Sequence, residues 1–203
     1  MIPFNKDEKP KELVPEGNHV AILYSIVEIG NVPDTYPGNE GQFVHQIRLT
    51  WELPDETREF DGEQKPMVIG RDFTVSLGDK SNLKPFVEGM LGGLSDEDKE
   101  FFSFENLKGK PCMLQVIHKK SKKTGNPYAF AASCAQVPKK LEVPKQFNES
   151  VYLDYREEWN DSVYATLPQF IKDKMADSQE MKSRSGFAEN MDDAENVLGD
   201  IGR

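Results

Sequence analysis

The chain has 203 residues, a formal net charge of -10, 37% hydrophobic and 30% charged side chains. That length supports one domain with appendages over two full domains, and the low apolar share leaves part of the chain for tail or long loop. No apolar run approaches the roughly 18 residues of a membrane span and no charged-then-apolar export signal opens the chain, so the expectation is a cytoplasmic protein without membrane contact.

Residues 1–13 are polar and Pro-containing, a flexible lead-in. HVAILYSIVEI (19–29) is apolar and β-branched and predicts a strand, and NVPDTYPGNEGQ after it, rich in Pro, Gly and Asn, predicts a long loop. QFVHQIRLTWEL then alternates: Phe43, His45, Ile47, Leu49, Trp51 and Leu53 fall on one face, and Val44, Gln46, Arg48, Thr50 and Glu52 on the other. The acidic connector PDETREFDGEQKP contains Asp61-Gly62, a hairpin signal, and leads to a third strand at 67–77 in which Ile69, Phe73, Val75 and Leu77 share a face interrupted by Arg71.

SNLKPFVEGMLGG places Leu83, Phe86, Val87, Met90 and Leu91 at helical spacing, with Ser81 or Asn82 as cap and Gly92-Gly93 as stop. Ser95 and Asp98 make a capping box for a short second helix through DEDKEFF. CMLQVIH and YAFAASCAQV predict two more strands joined by a lysine-rich loop. Five strands with a helix between the third and fourth is the connectivity of the OB-fold barrel, whose strand 1–2 and strand 4–5 loops, here 31–41 and 119–126, flank an oligonucleotide face.

The expectation is therefore a mainly β protein: an OB-fold domain at 14–138, an extension at 139–185 containing one helix and packed on the barrel, and a disordered acidic tail at 186–203. Pro168 sits near the first turn of that helix, and Phe170, Ile171, Met175 and Met181 are its candidate packing residues.

Cys112 and Cys134 lie in apolar runs, on opposite sides of a hairpin centred on Lys123. A disulfide is geometrically conceivable, but without an export signal reduced thiols are expected. Neither cysteine lies in a ligand-like CxxC and His19, His45 and His118 are scattered singly, so no metal site is expected. There is no phosphate-cradling GxxxxGK[ST], no GxSxG elbow and no HExxH, which makes an enzyme the less economical reading.

The charge distribution is uneven. Between Asn106 and Leu141 stand eight lysines and no Asp or Glu, so a basic patch is available to a polyanion despite the net charge. Single-strand binding needs phosphate neutralisation and rings on which bases stack. Lys119, Lys120, Lys122 and Lys123 can supply the first, with Thr124, Gly125 and Asn126 loosening the loop; Arg48 and Arg71 project from the second and third strands; Tyr128 and Tyr36 are candidate rings. Each has a plainer reading. Lysines in a turn can be a solvated tip, Arg71 can be a buried ion-pair partner, Tyr128 can be part of the strand's packing, and Tyr36 can staple its own loop. Trp51, in line with Leu49 and Leu53, and Phe130, on the parity of Val116, Leu114 and Cys134, read as core.

PEGNHVAILYSIVEIG, RLTWELPDE, RDFTVSLGDKSNLKPFVEGMLGG, LKGKPCMLQVIHKK and LPQFIKDKMADSQEMK together resemble bacteriophage-encoded OB-fold single-stranded-DNA-binding proteins of replication and recombination modules. The resemblance runs from about residue 15 to 182. It implies a non-catalytic, cofactor-free protein that coats single-stranded DNA during phage replication or recombination in the bacterial host. The acidic tail would recruit replication or recombination proteins or compete with DNA for the groove. The tail ends LGDIGR, without the apolar pair and terminal Phe of familiar bacterial tails. The alternative is an OB-fold interaction module that recruits or inhibits a phage or host replication or recombination protein.

Overall fold

A computed structural model describes residues 12–100, 102–156 and 159–184; the expected acidic tail and most of the expected lead-in lie outside these. In chain order the elements are β1 Gly17–Pro33, β2 Phe43–Phe60, β3 Glu63–Thr74, α1 Lys84–Leu91, α2 Asp96–Glu100, a 3-10 turn Phe104–Leu107, β4 Pro111–Lys120, β5 Pro127–Ala135, β6 Val151–Leu153, α3 Asp161–Thr166 and α4 Gln169–Ala176. Five strands form a curled antiparallel sheet in the order β3-β2-β1-β4-β5, and β6 adds to β1 in parallel.

Two apolar clusters sandwich β1. Ala21, Leu23 and Ile26 join Leu49, Trp51, Phe73, Phe86 and Leu114 inside the curl, while Val27, Ile29 and Val32 meet Leu153, Leu167, Ile171 and Met175 of the C-terminal extension. The near-continuous apolar run of β1 follows from this, because a strand covered on both faces has no solvent side on which to alternate. β2 has one inner face, on which Ile47, Leu49, Trp51 and Leu53 are buried.

The β2–β3 connection differs from the expected loop. Both strands continue through it as a two-stranded arm, pairing Thr57 with Pro66 and Phe60 with Glu63 beyond an irregularity after Leu53. Asp61 (φ 52°) and Gly62 (φ 82°) form its tip, as the Asp-Gly signal predicts. Ser81 Oγ accepts from Leu83 N and Lys84 N at the start of α1, and Ser95 and Asp98 exchange their reciprocal bonds. Gly89 sits where α1 meets β5: a Cβ there would fall 2.3 Å from Cys134 O, so only glycine permits this approach. Cys112 and Cys134 are free thiols on β4 and β5, and the hydrogen bond that the Cys112 thiol donates to Cys134, together with burial, raises the Cys112 pKa.

The extension contains more helix than the single one expected. α3, capped by Asn160 Oδ1 on Val163 N, precedes Pro168, and α4 follows it. A helix of α4's eight residues has no stability in isolation, and its order derives from burying Ile171 and Met175 against β1. Carboxylates then fasten the extension to the sheet. Glu52, fully buried on the outer face of β2, accepts from Phe147 N (2.7 Å), Asn148 N (2.8 Å) and Asn148 Nδ2 (2.7 Å). Glu28 of β1 takes Tyr155 N at 2.7 Å on one oxygen and His45 Nε2 at 2.5 Å on the other.

Glu52→Leu strands two backbone donors beneath the extension, and urea unfolding is expected to show a loss of about 3 kcal/mol. The hydrogen bond that His45 donates to the Glu28 carboxylate raises the His45 pKa, against a smaller opposing effect of burial. A raised folded value means that the pair stabilises fully below the unfolded pKa of about 6.5 and ceases to do so as pH rises through the folded value. The protection of the Tyr155 amide, relative to its intrinsic exchange rate at each pH, should fall over that rise, and His45→Phe should remove this pH dependence of protection.

Candidate nucleic-acid interface

The lysine-rich stretch is the end of the β4–β5 hairpin. Lys119 pairs across the ladder with Tyr128 and Lys120 with Pro127, and Ser121 to Asn126 close the turn. Ser121 N donates to Asn126 O (2.9 Å), Gly125 N to Ser121 O (2.8 Å) and Thr124 N to Ser121 Oγ (3.2 Å), with Gly125 at φ 72°. Thr124, Gly125 and Asn126 therefore tie the loop into a defined turn where the sequence suggests slack. Lys119, Lys120, Lys122 and Lys123 are exposed, and no ion pair engages them among the described residues. At the base of this stretch the Glu16 carboxylate accepts from the backbone N–H of His118 at 2.6 Å.

The aromatic content of this hairpin is larger than parity suggests. The β4–β5 register slips between Gln115–Ser133 and Val116–Ala131, leaving Ala132 as an extra residue. Cys134 faces inward opposite Leu114, but beyond the bulge the inward residue is Ala131, and Phe130 pairs with Ile117 outside the main cluster. Phe130 is thus a half-buried ring on the side of Lys119 and Tyr128, not a core residue. The Lys119 ammonium lies 3.4 Å from its centroid. Tyr128 is 41% exposed.

Arg71 departs from the ion-pair reading of the sequence. It has no carboxylate partner among the described residues. Its side chain spans the open seam between β3 and β5, donating from Nη1 to Ala131 O at 2.9 Å, with its guanidinium 4.5 to 4.9 Å from the rings of Phe73, Phe86 and Phe130. Burial lowers its pKa, yet a guanidinium stays charged, so the seam carries a fixed cation.

Two concavities follow one another along β3 on either side of Arg71. The first is a groove of about 270 Å³ lined by Arg58, Val68 and Gly70 on one side and Tyr128 and Ala129 on the other, with residues 12–14 at its base. Arg58 covers the exposed Phe60 ring at 3.9 Å. The second, about 630 Å³, lies between Arg71 and the loop 76–82.

Of the residues singled out in the sequence, Lys119, Lys120, Lys122, Lys123 and Tyr128 share one hairpin, and Arg71 reaches it through Phe130 and Ala131. Arg48 stands apart. Only 14% of its side chain is exposed, Nη1 meets Asp72 Oδ1 at 2.5 Å, and its guanidinium lies 5.0 Å from the Phe170 ring of α4. Lys174 of α4 contacts the other oxygen of Asp72. Burial pushes the Asp72 carboxyl up, but Lys174 and Arg48 together outweigh it and hold it below the usual carboxylate range. Tyr36 is 71% exposed in the β1–β2 loop, at the Pro33 end of β1, whereas the lysine hairpin projects beyond the Gly17 end. Arg58, Phe60 and Phe130 were missed in the sequence because an arm whose half-buried face is polar shows no hydrophobic period and a bulge reverses parity; the aromatic residues in acid-free or Arg-containing hairpins were the available signal. Among the described residues no cluster of His, Cys, Asp and Glu is placed to hold a metal ion.

Arg71→Met keeps the bulk and removes both the hydrogen bond and the charge at the seam. The expected result is a loss of about 2 kcal/mol in denaturant unfolding, with faster amide exchange along β5 than along β1. Comparison with protein-family models and with curated protein sequences finds no match for this chain.

Proposed function

We propose that the chain is an OB-fold protein that binds single-stranded DNA with little sequence preference, of the bacteriophage kind its motifs resemble, and acts on strands exposed in phage replication or recombination. The observation that carries this reading is the β4–β5 hairpin: four exposed lysines, unpaired among the described residues, beside the exposed Tyr128 and the half-buried Phe130. Lysine ammonium groups neutralise phosphates without reading bases, and any base can stack on a ring, so the pairing is sequence-tolerant. The curled antiparallel sheet and the position of α1 between β3 and β4 support the barrel assignment.

The route that fits the geometry runs along the β3–β5 seam, from the lysine hairpin past Tyr128 and Phe130 to Arg71. The outer face of β2 is a poorer route, since Glu52 lies under residues 147–148 and Arg48 under α4. Residues 186–203, outside the described residues, have in this reading the role of recruiting replication or recombination proteins.

Binding of a thymidine oligonucleotide, followed by fluorescence anisotropy, should weaken steeply with salt. Converting Lys119, Lys120, Lys122 and Lys123 together to Ala should flatten the log–log slope by up to about 3, from about 0.7 per phosphate on a single strand. An unchanged slope would remove the hairpin from the site. Absence of binding by the unaltered chain would favour an interaction module.

A further inference from the structure

The pocket of about 630 Å³ at the end of β3 has a charge balance that its lining residues do not show at first sight. Its walls include two acids, Asp72 and Asp79, which on their own would repel an anion. Both are already paired. Asp72 is held between Arg48 and Lys174, and Asp79 Oδ1 meets Lys84 Nζ at 2.8 Å. The pocket also contains Arg71 and the exposed Lys80, and neither has a carboxylate partner among the described residues.

Arg71 is the informative member. Of its five N–H groups one donates to Ala131 O, and the rings around the guanidinium supply no acceptor oxygen. A partly desolvated cation without a counter-ion is costly, and an anion that arrives on the pocket side removes that cost. A planar guanidinium fork with a mobile ammonium beside it suits tetrahedral oxyanions, and the hydroxyl of Ser76 and the amides of Gln46 and Asn82 add neutral polar groups to the wall. The volume falls in the range of small-ligand sites.

We propose that this pocket binds a phosphate group, with Arg71 and Lys80 as its charged contacts, and that the group is supplied by the DNA strand after it passes along the seam. The last clause rests on the single-strand reading; the phosphate site itself does not. A free nucleotide offers the same chemistry, and the experiment separates the two sources.

Inorganic phosphate titrated into the isotope-labelled full chain should shift the amide signals of residues 71–74 and 76–82 saturably, while sodium chloride at matched ionic strength should not. Lys80→Ala should weaken that response about tenfold and Lys80→Glu should abolish it. Arg71→Lys, which retains a cation at the seam and so guards against simple unfolding, should weaken it as well. With the thymidine oligonucleotide, Lys80→Ala should flatten the salt slope by about 0.7. The four-lysine hairpin variant should keep its full response to inorganic phosphate.

Shifts confined to residues 119–126, or equal in phosphate and chloride, would overturn the site. An oligonucleotide that binds with the same slope in Lys80→Ala would overturn the strand as its source. If no oligonucleotide binds while phosphate and thymidine monophosphate still shift residues 76–82, the single-strand reading fails and the phosphate site stands.

Discussion

The two open edges of the curled sheet are held together by a side chain. β3 and β5 end the strand order without a ladder between them, and Arg71 crosses the gap to a carbonyl oxygen on the free edge of β5. Unpaired edges are where sheets take on foreign strands, and one cation inserted between three rings blocks such pairing while leaving the seam polar. α1 reinforces the closure from inside: Phe86 contacts Trp51 and Phe73, and Gly89 lies directly on the backbone of β5. The seam therefore carries no ladder and is bridged by side chains, and Tyr128, Phe130 and both concavities are arranged along it.

The C-terminal extension forms a second layer that uses carboxylates as fasteners. Glu52, Glu28 and Glu180 each accept a backbone N–H across long separations in sequence, from Phe147, Tyr155 and Asn31. Charged acceptors make stronger hydrogen bonds than neutral ones, which suits a segment too poor in apolar residues to dock by burial alone. The arrangement also accounts for part of the acidic excess. Asp72 is half-buried between Arg48 and Lys174, so its charge is offset locally and does not face a polyanion unpaired.

Much of the architecture was legible in the residue pattern, and the failures have definite causes. The alternation of β2, the Asp61-Gly62 tip, the capping box at Ser95 and the lysine hairpin are local signals, each set by a few neighbouring residues. Phe130 was misread because one extra residue, Ala132, reverses every face beyond it, and no single-residue propensity marks a bulge of that kind. The β2–β3 arm shows no hydrophobic period because its half-buried face carries Pro54, Glu56 and Arg58 in place of apolar side chains. α3 was missed because its stability lies in contacts that sequence order does not bring together, including Trp159 stacked on Tyr155 at 5.3 Å and tilted against Tyr164. The commitment of Arg48 depends on Asp72, on the adjacent strand, and on Lys174, 102 residues from Asp72, and nothing near Arg48 in the chain announces either.

The placement of charge at the Gly17 end of the sheet bears on how an acidic chain can hold a polyanion. Two arms project there. The β2–β3 arm carries Asp55, Glu56, Glu59, Asp61 and Glu63 against Arg58 and Lys65, and the β4–β5 arm carries only lysines. Some of that acid is spent locally, Glu56 on His19 Nδ1 at 3.0 Å and Glu63 on Lys65 at 2.9 Å. At physiological salt, fields decay over about 8 Å, so a phosphate on the β5 side responds to the lysines beside it far more than to acids on the other arm. In the proposed single-strand reading the acidic arm would act as a wall that confines a bound strand to the β5 side of the groove, where Tyr128 stands. Beyond it the strand would meet Arg71 after about 10 Å of β3, since Val68 and Arg71 are three residues apart. In that reading polarisation over this distance, and not the sign of the whole chain, would decide whether a polyanion is held.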